Sequence, residues 1–242
     1  MSDPRIRFGI IGVAGRGNSF VRALQANPAA ELSALCDVRE EQLQANAAEL
    51  EVQQTFTDAG KMIRSGTVDA VVIGTPMQFH APQAILALEH DIHVLSEVTA
   101  AVSIEESREL VRAARRSGAT YMMAENYTYT KSSVLVKELA RRGLFGTPYY
   151  GEGAYVHELK QHNVRTPWRR RWQTGINACT YPTHSLGPVL QWFNASEARP
   201  DRVVAVSAVG TGHHYRDPRG DSYEMEDSVT MMCRLASGGL VQ

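Results

Sequence analysis

The sequence lacks the features that mark several classes of protein. Its three cysteines, Cys36, Cys179 and Cys233, are widely spaced, and no C-x-x-C pair occurs. This pattern argues against a disulfide scaffold and a cysteine-ligated zinc site, and it indicates reduced thiols. The formal net charge is −1 and long basic runs are missing, so neither nucleic acid nor a membrane surface is expected as a partner.

Long apolar runs are also missing, and no stretch of the sequence is long enough to span a bilayer. The first apolar strand begins within a few residues of Met1, which leaves no room for a signal peptide, so we expect a cytoplasmic protein. The His213-His214 pair lies in a loop with several acidic residues but without a known ligand spacing, so no metal is expected. Hydrophobic residues make up 43% of the 242 positions, enough for one large or two modest domains.

A glycine-rich turn follows the apolar strand predicted at 6–11. The G-x-G-x-x-G template falls on Gly12, Ala14 and Gly17, so alanine replaces the middle glycine. A helix is predicted directly after the turn, and the N–H groups at its start can hold a pyrophosphate. The predicted contacts to the cofactor phosphates are Gly12, Ala14, Gly15, Arg16, Gly17 and Asn18.

The choice of cofactor depends on the end of the second predicted strand. The apolar run at 32–36 ends in Asp37, about 20 residues after Gly17, where a carboxylate that binds the ribose is expected. Asp37 favours NAD because it accepts a hydrogen bond from the 2′-hydroxyl and repels a 2′-phosphate. Arg39 could bind that phosphate. We predict NAD, with NADP less favoured.

Residues 1 to about 124 alternate strand and helix patterns. Strands are predicted at 6–11, 32–36, 68–74, 92–96 and 120–124, with helices near 17–26, 40–50, 58–65, 80–90 and 104–117. This alternation is typical of the doubly wound parallel sheet of a Rossmann domain, in the α/β class. Ligands bind at the carboxyl ends of such strands. Residues that follow the strands are therefore further candidates for cofactor binding: Thr75, Pro76, His80, Glu97 and Asn126.

The pattern changes after residue 126. An amphipathic helix is predicted from Lys131 to Arg142, and residues 147–157 alternate like a half-buried strand. A helix at 184–193 and strands at 202–210 and 226–235 complete an α+β domain with an open, mainly antiparallel sheet. The predicted domains are thus 1–126, which binds NAD, and 127–242, which binds substrate. The start of a strand at 238–242 indicates that the second domain is incomplete.

Four motifs resemble those of the glucose–fructose oxidoreductase, inositol dehydrogenase and rhizopine catabolism family (Gfo/Idh/MocA): Gly9-Ile-Ile-Gly12, Cys36-Asp-Val38, Gly74-Thr-Pro76 with His80, and His93-Val-Leu-Ser-Glu97. The resemblance implies a Rossmann domain that holds NAD or NADP. It also implies a second domain whose sheet lines the sugar site and often mediates homo-oligomers. Two polar groups usual in its dehydrogenases are missing, since Val98 replaces a lysine and Thr180 an aspartate.

One branch of that family lacks the same two groups. Its NAD-dependent glycosidases, glycoside hydrolase family 109, are similar to this chain in three motifs: Met123-Ala-Glu-Asn126, Gly151-Glu-Gly-Ala-Tyr-Val-His157 and Tyr181-Pro-Thr-His-Ser-Leu-Gly-Pro188. Ser185 stands where the branch commonly has glycine. The resemblance implies oxidation of a sugar at C3 by NAD, removal of the acidified C2 proton, elimination of the C1 substituent, addition of water and return of the hydride.

The resemblance also implies roles for individual residues. His184 would take the proton of the 3-hydroxyl and Tyr155 the C2 proton, with His157 beside it. Tyr181 and Arg169 would position hydroxyls or stabilise the enolate, and Glu125 would bind the substrate. Glu97 and Asn126 would orient the nicotinamide. Three functions stay open: a sugar dehydrogenase, a redox-neutral glycosidase, and a dinucleotide-binding sensor without catalysis.

Overall fold

The computed structural model describes residues 5–166, 168, 181–195, 201–216, 218–220 and 222–242. The chain divides into two compact units, residues 1–124 and 125–242. Within the described part of the chain, none of the helices combines the length and the apolar character needed to cross a membrane.

The first unit is built on a six-stranded sheet in the order β3-β2-β1-β4-β5-β6, in which every pairing is parallel. Its strands are β1 Ile6–Ile11, β2 Ala30–Cys36, β3 Gln54–Phe56, β4 Ala70–Ile73, β5 His93–Ser96 and β6 Tyr121–Met123. The predicted parallel sheet is confirmed. Strand β3 is an addition, because three residues are too few to show a period. The strand order reverses between β1 and β4, which is where such sheets bind ligands.

Helices cover both faces of this sheet. They are α1 Val21–Ala26, α2 Glu40–Glu49, α3 Ala59–Arg64, α4 His80–Glu89 and α5 Ile104–Arg116, with 3-10 helices at Arg16–Phe20 and Met77–Phe79. Alternate residues of β4 point into different cores: Val71 and Ile73 belong to one cluster, and Val72 to the other. The five predicted helices are confirmed, although the first begins as a 3-10 turn.

The second unit contains a four-stranded sheet in the order β7-β10-β9-β8, from β7 Tyr150–Gly151, β8 Val203–Gly210, β9 Val229–Leu235 and β10 Leu240–Val241. The β8–β9 and β9–β10 pairings are antiparallel and the β10–β7 pairing is parallel. The described helices of the unit are α6 Lys131–Arg141, α7 Lys160–Arg165 and α8 Pro182–Phe193, with a 3-10 helix at Asn126–Tyr129. Helix α8 packs on the sheet through a core of Val189, Phe193, Cys233, Leu235 and Val241.

The predicted long strand at 147–157 is wrong, since only Tyr150–Gly151 pairs as a strand. The last hydrogen bond to the sheet is from Gly153 N to Gln242 O at 2.9 Å. The glycines of this segment allow it to pack closely against α8. A Cβ on Gly151 would lie 2.7 Å from the Val189 side chain, and a Cβ on Gly153 would lie 2.6 Å from Ser185 O. The small residues that pack against the helix thus alternate with larger ones in the sequence, as they would in a strand.

Candidate functional site

The turn after β1 is packed so closely that glycine is required at two positions. Gly12 has a φ of +90°, and a Cβ there would lie 2.8 Å from the carbonyl carbon of Gly74. A Cβ on Gly17 would lie 2.8 Å from Gly12 O. Glycine at these two positions therefore lets the turn fold tightly against its own backbone and the tail of β4, while Gly15 and Arg16 between them are exposed.

A third glycine belongs to this site and was missing from the predicted residues. A Cβ on Gly74, directly after β4, would lie 2.4 Å from Gly17 N, so the tail of β4 touches the turn after β1. The signal was present in the Gly74-Thr-Pro76 motif, but the approach of two distant backbone segments has no local sequence pattern. Gly74 is needed because β1 and β4 are neighbours at the switch point of the sheet.

Asp37 ties the end of β2 to the same turn. Its buried carboxylate accepts hydrogen bonds from Ala14 N at 2.9 Å, from Arg39 N at 3.0 Å and from Arg39 Nε at 3.2 Å. A Cβ on Gly15 would meet the Arg39 guanidinium at 3.5 Å, so this side chain lies over the turn. Asn18 Nδ2 donates a hydrogen bond to Asn46 Oδ1 at 2.7 Å. The structure thus brings together the predicted turn, acid and arginine.

His80 connects the loops that follow β4 and β5. It is 1% exposed, and its Nδ1 and Nε2 lie 2.8 Å from Thr99 O and 2.7 Å from Thr75 O. Burial lowers the pKa of His80, and the two carbonyl groups oppose this only in part. The His80 ring therefore holds the loop of Thr75 and Pro76 in place. Any contribution of His80 to cofactor binding acts through that loop.

Glu97 and Arg16 form an ion pair at the carboxyl edge of the sheet. Arg16 Nε donates to Glu97 Oε1 at 2.7 Å, and the glutamate side chain is buried. Val98 is buried beside it and has no group that could transfer a proton. Asn126, the other residue predicted to orient the nicotinamide, begins the 3-10 helix of the second unit.

The four predicted catalytic residues form one cluster of rings in the second unit. The centroid of Tyr155 lies 4.7 Å from that of His184 and 4.3 Å from that of His157. Tyr181 stacks on His184 at 5.5 Å, with an interplanar angle of 12°. Two imidazoles and two phenols are thereby concentrated at one place. Arg169, predicted to bind substrate, and Thr180 lie outside the described residues.

Two further side chains, those of Glu125 and Tyr127, contact this ring cluster. Glu125 has both carboxylate oxygens close to His184 Nδ1, at 2.8 and 2.9 Å, and each side chain is 9% exposed. Burial alone would raise the pKa of Glu125, but hydrogen bonds from His184 and from Tyr127 N outweigh it and lower the pKa. The ring of Tyr127, which sequence analysis missed, lies 4.5 Å from His184 and 5.4 Å from Tyr155. Its only sequence signal was its place after Glu125-Asn126.

A cavity of about 340 Å³ adjoins the ring cluster in the second unit. This volume is in the range of small-molecule sites. Its wall combines cluster residues with residues in and just before β9, among them Tyr155, His157, Tyr181, Asp227, Thr230 and Met231. The cavity is therefore large enough for a ligand of sugar size, and imidazole and phenol side chains line it.

Both halves of the chain match known families. Residues 6–125 match the oxidoreductase family with an NAD-binding Rossmann fold, and residues 129–220 match the glycosyl hydrolase 109 C-terminal domain. A glycosyl hydrolase family 109 protein of Shewanella woodyi is 35% identical over 225 residues, covering 86% of this chain and 48% of the relative. An alpha-N-acetylgalactosaminidase of Shewanella oneidensis is 35% identical over 223 residues, with the same coverage. The chain spans about half the length of these relatives.

A solved structure shares the fold over nearly the whole chain. The WlbA dehydrogenase of Bordetella pertussis, in complex with NADH and UDP-GlcNAcA, superposes with a TM-score of 0.77 at 25% identity. The match covers 98% of this chain and 69% of that protein.

Proposed function

This chain belongs to the Gfo/Idh/MocA oxidoreductase family, in its glycosyl hydrolase 109 branch, and on that premise we propose that it is an NAD-dependent, redox-neutral glycosidase. The observation that carries the proposal is the contact between Tyr155 and His184, with ring centroids 4.7 Å apart. The reaction needs two bases that act on neighbouring carbons of one sugar, and these two rings can supply them. The buried valine at position 98 is the second support, because a dehydrogenase of the usual kind has a lysine there.

The glycine turn fits the cofactor. Gly12, Gly17 and Gly74 leave no room for a Cβ, as expected of a glycine turn that holds a pyrophosphate, and Asp37 lies beside the turn. When bound, NAD supplies an acceptor and later a donor of hydride. The residues proposed to hold it are those of the turn with Asp37, while Glu97 is fixed by Arg16.

The ring cluster supplies the proton transfers. His184 would take the proton of the 3-hydroxyl as the ring carbon becomes a ketone, and it would return that proton when the alcohol is restored. The ketone acidifies the C2 proton, which Tyr155 would remove so that the C1 substituent can leave. A phenol has a reference pKa of about 10, so it needs cationic or hydrogen-bonding neighbours to serve as a base. The imidazoles of His157 and His184 flank Tyr155 in the structure.

The experiment that tests this function follows two signals from one incubation. The full chain with NAD is mixed with nitrophenyl glycosides, beginning with the α-N-acetylgalactosaminide because one relative is named for that activity. We expect nitrophenol release without accumulation of NADH. Accumulation of NADH with free sugars would instead identify a dehydrogenase. Bound NAD with neither signal would identify a non-catalytic sensor.

Replacing Asp37 by alanine is expected to reduce the preference for NAD over NADP by about 10- to 100-fold, since a hydrogen bond to a charged group is worth about 1.5–3 kcal/mol. The ratio of the two dissociation constants, measured by calorimetry, is the informative quantity. Any loosening of the turn, whose Ala14 N–H also binds Asp37, should affect both cofactors alike. Arg39→Ala is the matched control and should weaken NADP alone. An unchanged ratio in the Asp37 variant would contradict the assignment.

We also propose that the protein forms homo-oligomers through the sheet of the second unit. Strand β8 lies at the edge of the sheet formed by the described residues, and its Val204, Val206 and Val209 are exposed. Exposed apolar side chains on an edge strand favour pairing with another copy. Light scattering should give at least twice the monomer mass, and Val206→Lys should reduce it. A monomer at all concentrations would refute the proposal.

A further inference from the structure

Glu125 is held by the backbone as well as by His184. It caps the 3-10 helix Asn126–Tyr129, with Tyr127 N donating to Glu125 Oε1 at 2.9 Å. Helix α8 packs on the same side chain from the other direction, because a Cβ on Gly187 would lie 3.1 Å from Glu125 Cγ. Its carboxylate is thus placed by two elements, and it has little freedom to turn toward a ligand.

The contact between Glu125 and His184 decides which ring nitrogen carries a proton. An ionised carboxylate can only accept hydrogen bonds, and the lowered pKa of Glu125 keeps it ionised at neutral pH. His184 Nδ1, at 2.8 and 2.9 Å from the two oxygens, must therefore be the donor. In a neutral imidazole the other nitrogen, Nε2, then has the lone pair that can accept a proton.

We infer that Glu125 is a positioning residue, which holds His184 in the Nδ1–H tautomer so that Nε2 is its proton-accepting nitrogen. The inference deepens the proposed function and rests on it for the source of the proton, the substrate hydroxyl. Both carboxylate oxygens accept hydrogen bonds within the protein, and the expectation that Glu125 binds substrate stays a separate prediction. The carboxylate also stabilises the imidazolium that forms when His184 takes a proton.

In the part of the chain that the structure describes, few titratable groups face His184. They are Glu125 and Tyr127 from the 3-10 helix and its cap, Tyr155 from the segment after β7, and Tyr181 from the cap of α8. His157 lies one ring further away, against Tyr155. Glu125 is the acid among them, so its removal should destabilise the protonated imidazole of His184. The acidic limb of the pH profile of kcat/KM should then move to lower pH.

The decisive variant is Glu125→Gln, which keeps the size and the acceptor oxygen but removes the charge. We expect kcat to fall about 10²-fold or more with KM changed by less than about threefold, because the base is weakened and the binding groups remain. Glu125→Asp, which restores the charge, should recover part of the loss. Glu152→Gln is the matched control, because this exposed carboxylate of the same unit contacts Tyr150 OH, not His184.

A second measurement does not depend on activity. NMR of the protein labelled at the histidine ring nitrogens, with the His184 signals assigned through His184→Gln, reports which nitrogen is protonated. The unaltered protein at neutral pH should show Nδ1–H, and Glu125→Gln should show a mixture of tautomers. If His184 carries its proton on Nε2, or if the variant changes neither tautomer nor pH limb, the inference is wrong. If the tautomer changes as expected but no glycoside is cleaved by any form, the positioning role stands and the proposed function fails.

Discussion

Replacing His184 by glutamine is expected to lower kcat/KM for a nitrophenyl glycoside by about 10²- to 10⁴-fold, the usual contribution of a general acid–base group. The glutamine amide can still donate a hydrogen bond to Glu125, so the buried carboxylate keeps a partner and the unit should remain folded. Affinity for NAD should stay within about threefold, because no residue of the glycine turn is altered. The measurements are nitrophenol release and calorimetric titration with NAD.

Two results for the His184→Gln variant would contradict the catalytic role of His184. Activity within about threefold of the unaltered protein, with the fold verified by circular dichroism, would remove His184 from the mechanism. Loss of both activity and NAD binding would point to a structural role for the ring, which contacts Tyr127, Tyr155 and Tyr181.

Tyr155→Phe should separate the two chemical stages of the proposed reaction. Without the phenol oxygen no base removes the C2 proton, and glycoside cleavage should fall about 10²- to 10⁴-fold. Oxidation at C3 does not use this oxygen, so NADH should now accumulate when the variant meets substrate. In heavy water, proton NMR should show exchange at C2 with the unaltered protein and none with the variant.

A matched control exists for this tyrosine. Tyr150 precedes Tyr155 by five positions and donates to Glu152 Oε1 at 2.6 Å, with a pKa that this carboxylate raises. Tyr150→Phe removes the same atom from the same unit and should leave cleavage and exchange unchanged. The phenylalanine ring at 155 retains the packing against His157 and Tyr127. Persistent C2 exchange in Tyr155→Phe would assign the base to another group.

Much of the first unit was predictable because its signals are local. An apolar run, a glycine turn and an acid about 20 residues later follow from the geometry of one strand–turn–helix unit. The capping box at the start of α5 is local as well: Ser103 Oγ accepts from Glu106 N at 3.1 Å, and Glu106 Oε2 accepts from Val102 N at 2.9 Å. Three-residue strands such as β3 escape this reasoning, since they depend on their neighbours for pairing.

The errors in the second unit have a related cause. Residues 147–157 alternate as a strand would, yet β7 has two residues and the segment follows α8 through Gly151 and Gly153. Tyr155 and His157 still lie together, with ring centroids 4.3 Å apart, although they lie outside strand β7. Glu125 illustrates the same limit, because its contact with His184 joins residues 59 positions apart and has no local sequence pattern.

The amino-acid sequence alone was sufficient for the family, the parallel sheet and the turn at 12–17, and it singled out the four residues whose rings the structure places in one cluster. These features can be predicted from periodicities and short motifs, in which each residue is interpreted together with its neighbours in sequence. The tertiary structure decided which groups act on one another: Gly74 against Gly17, Arg16 with Glu97, and Glu125 with His184. Each of these contacts joins residues more than 50 positions apart. The packing of whole helices and strands brings these residues together, and no local sequence pattern specifies such long-range contacts.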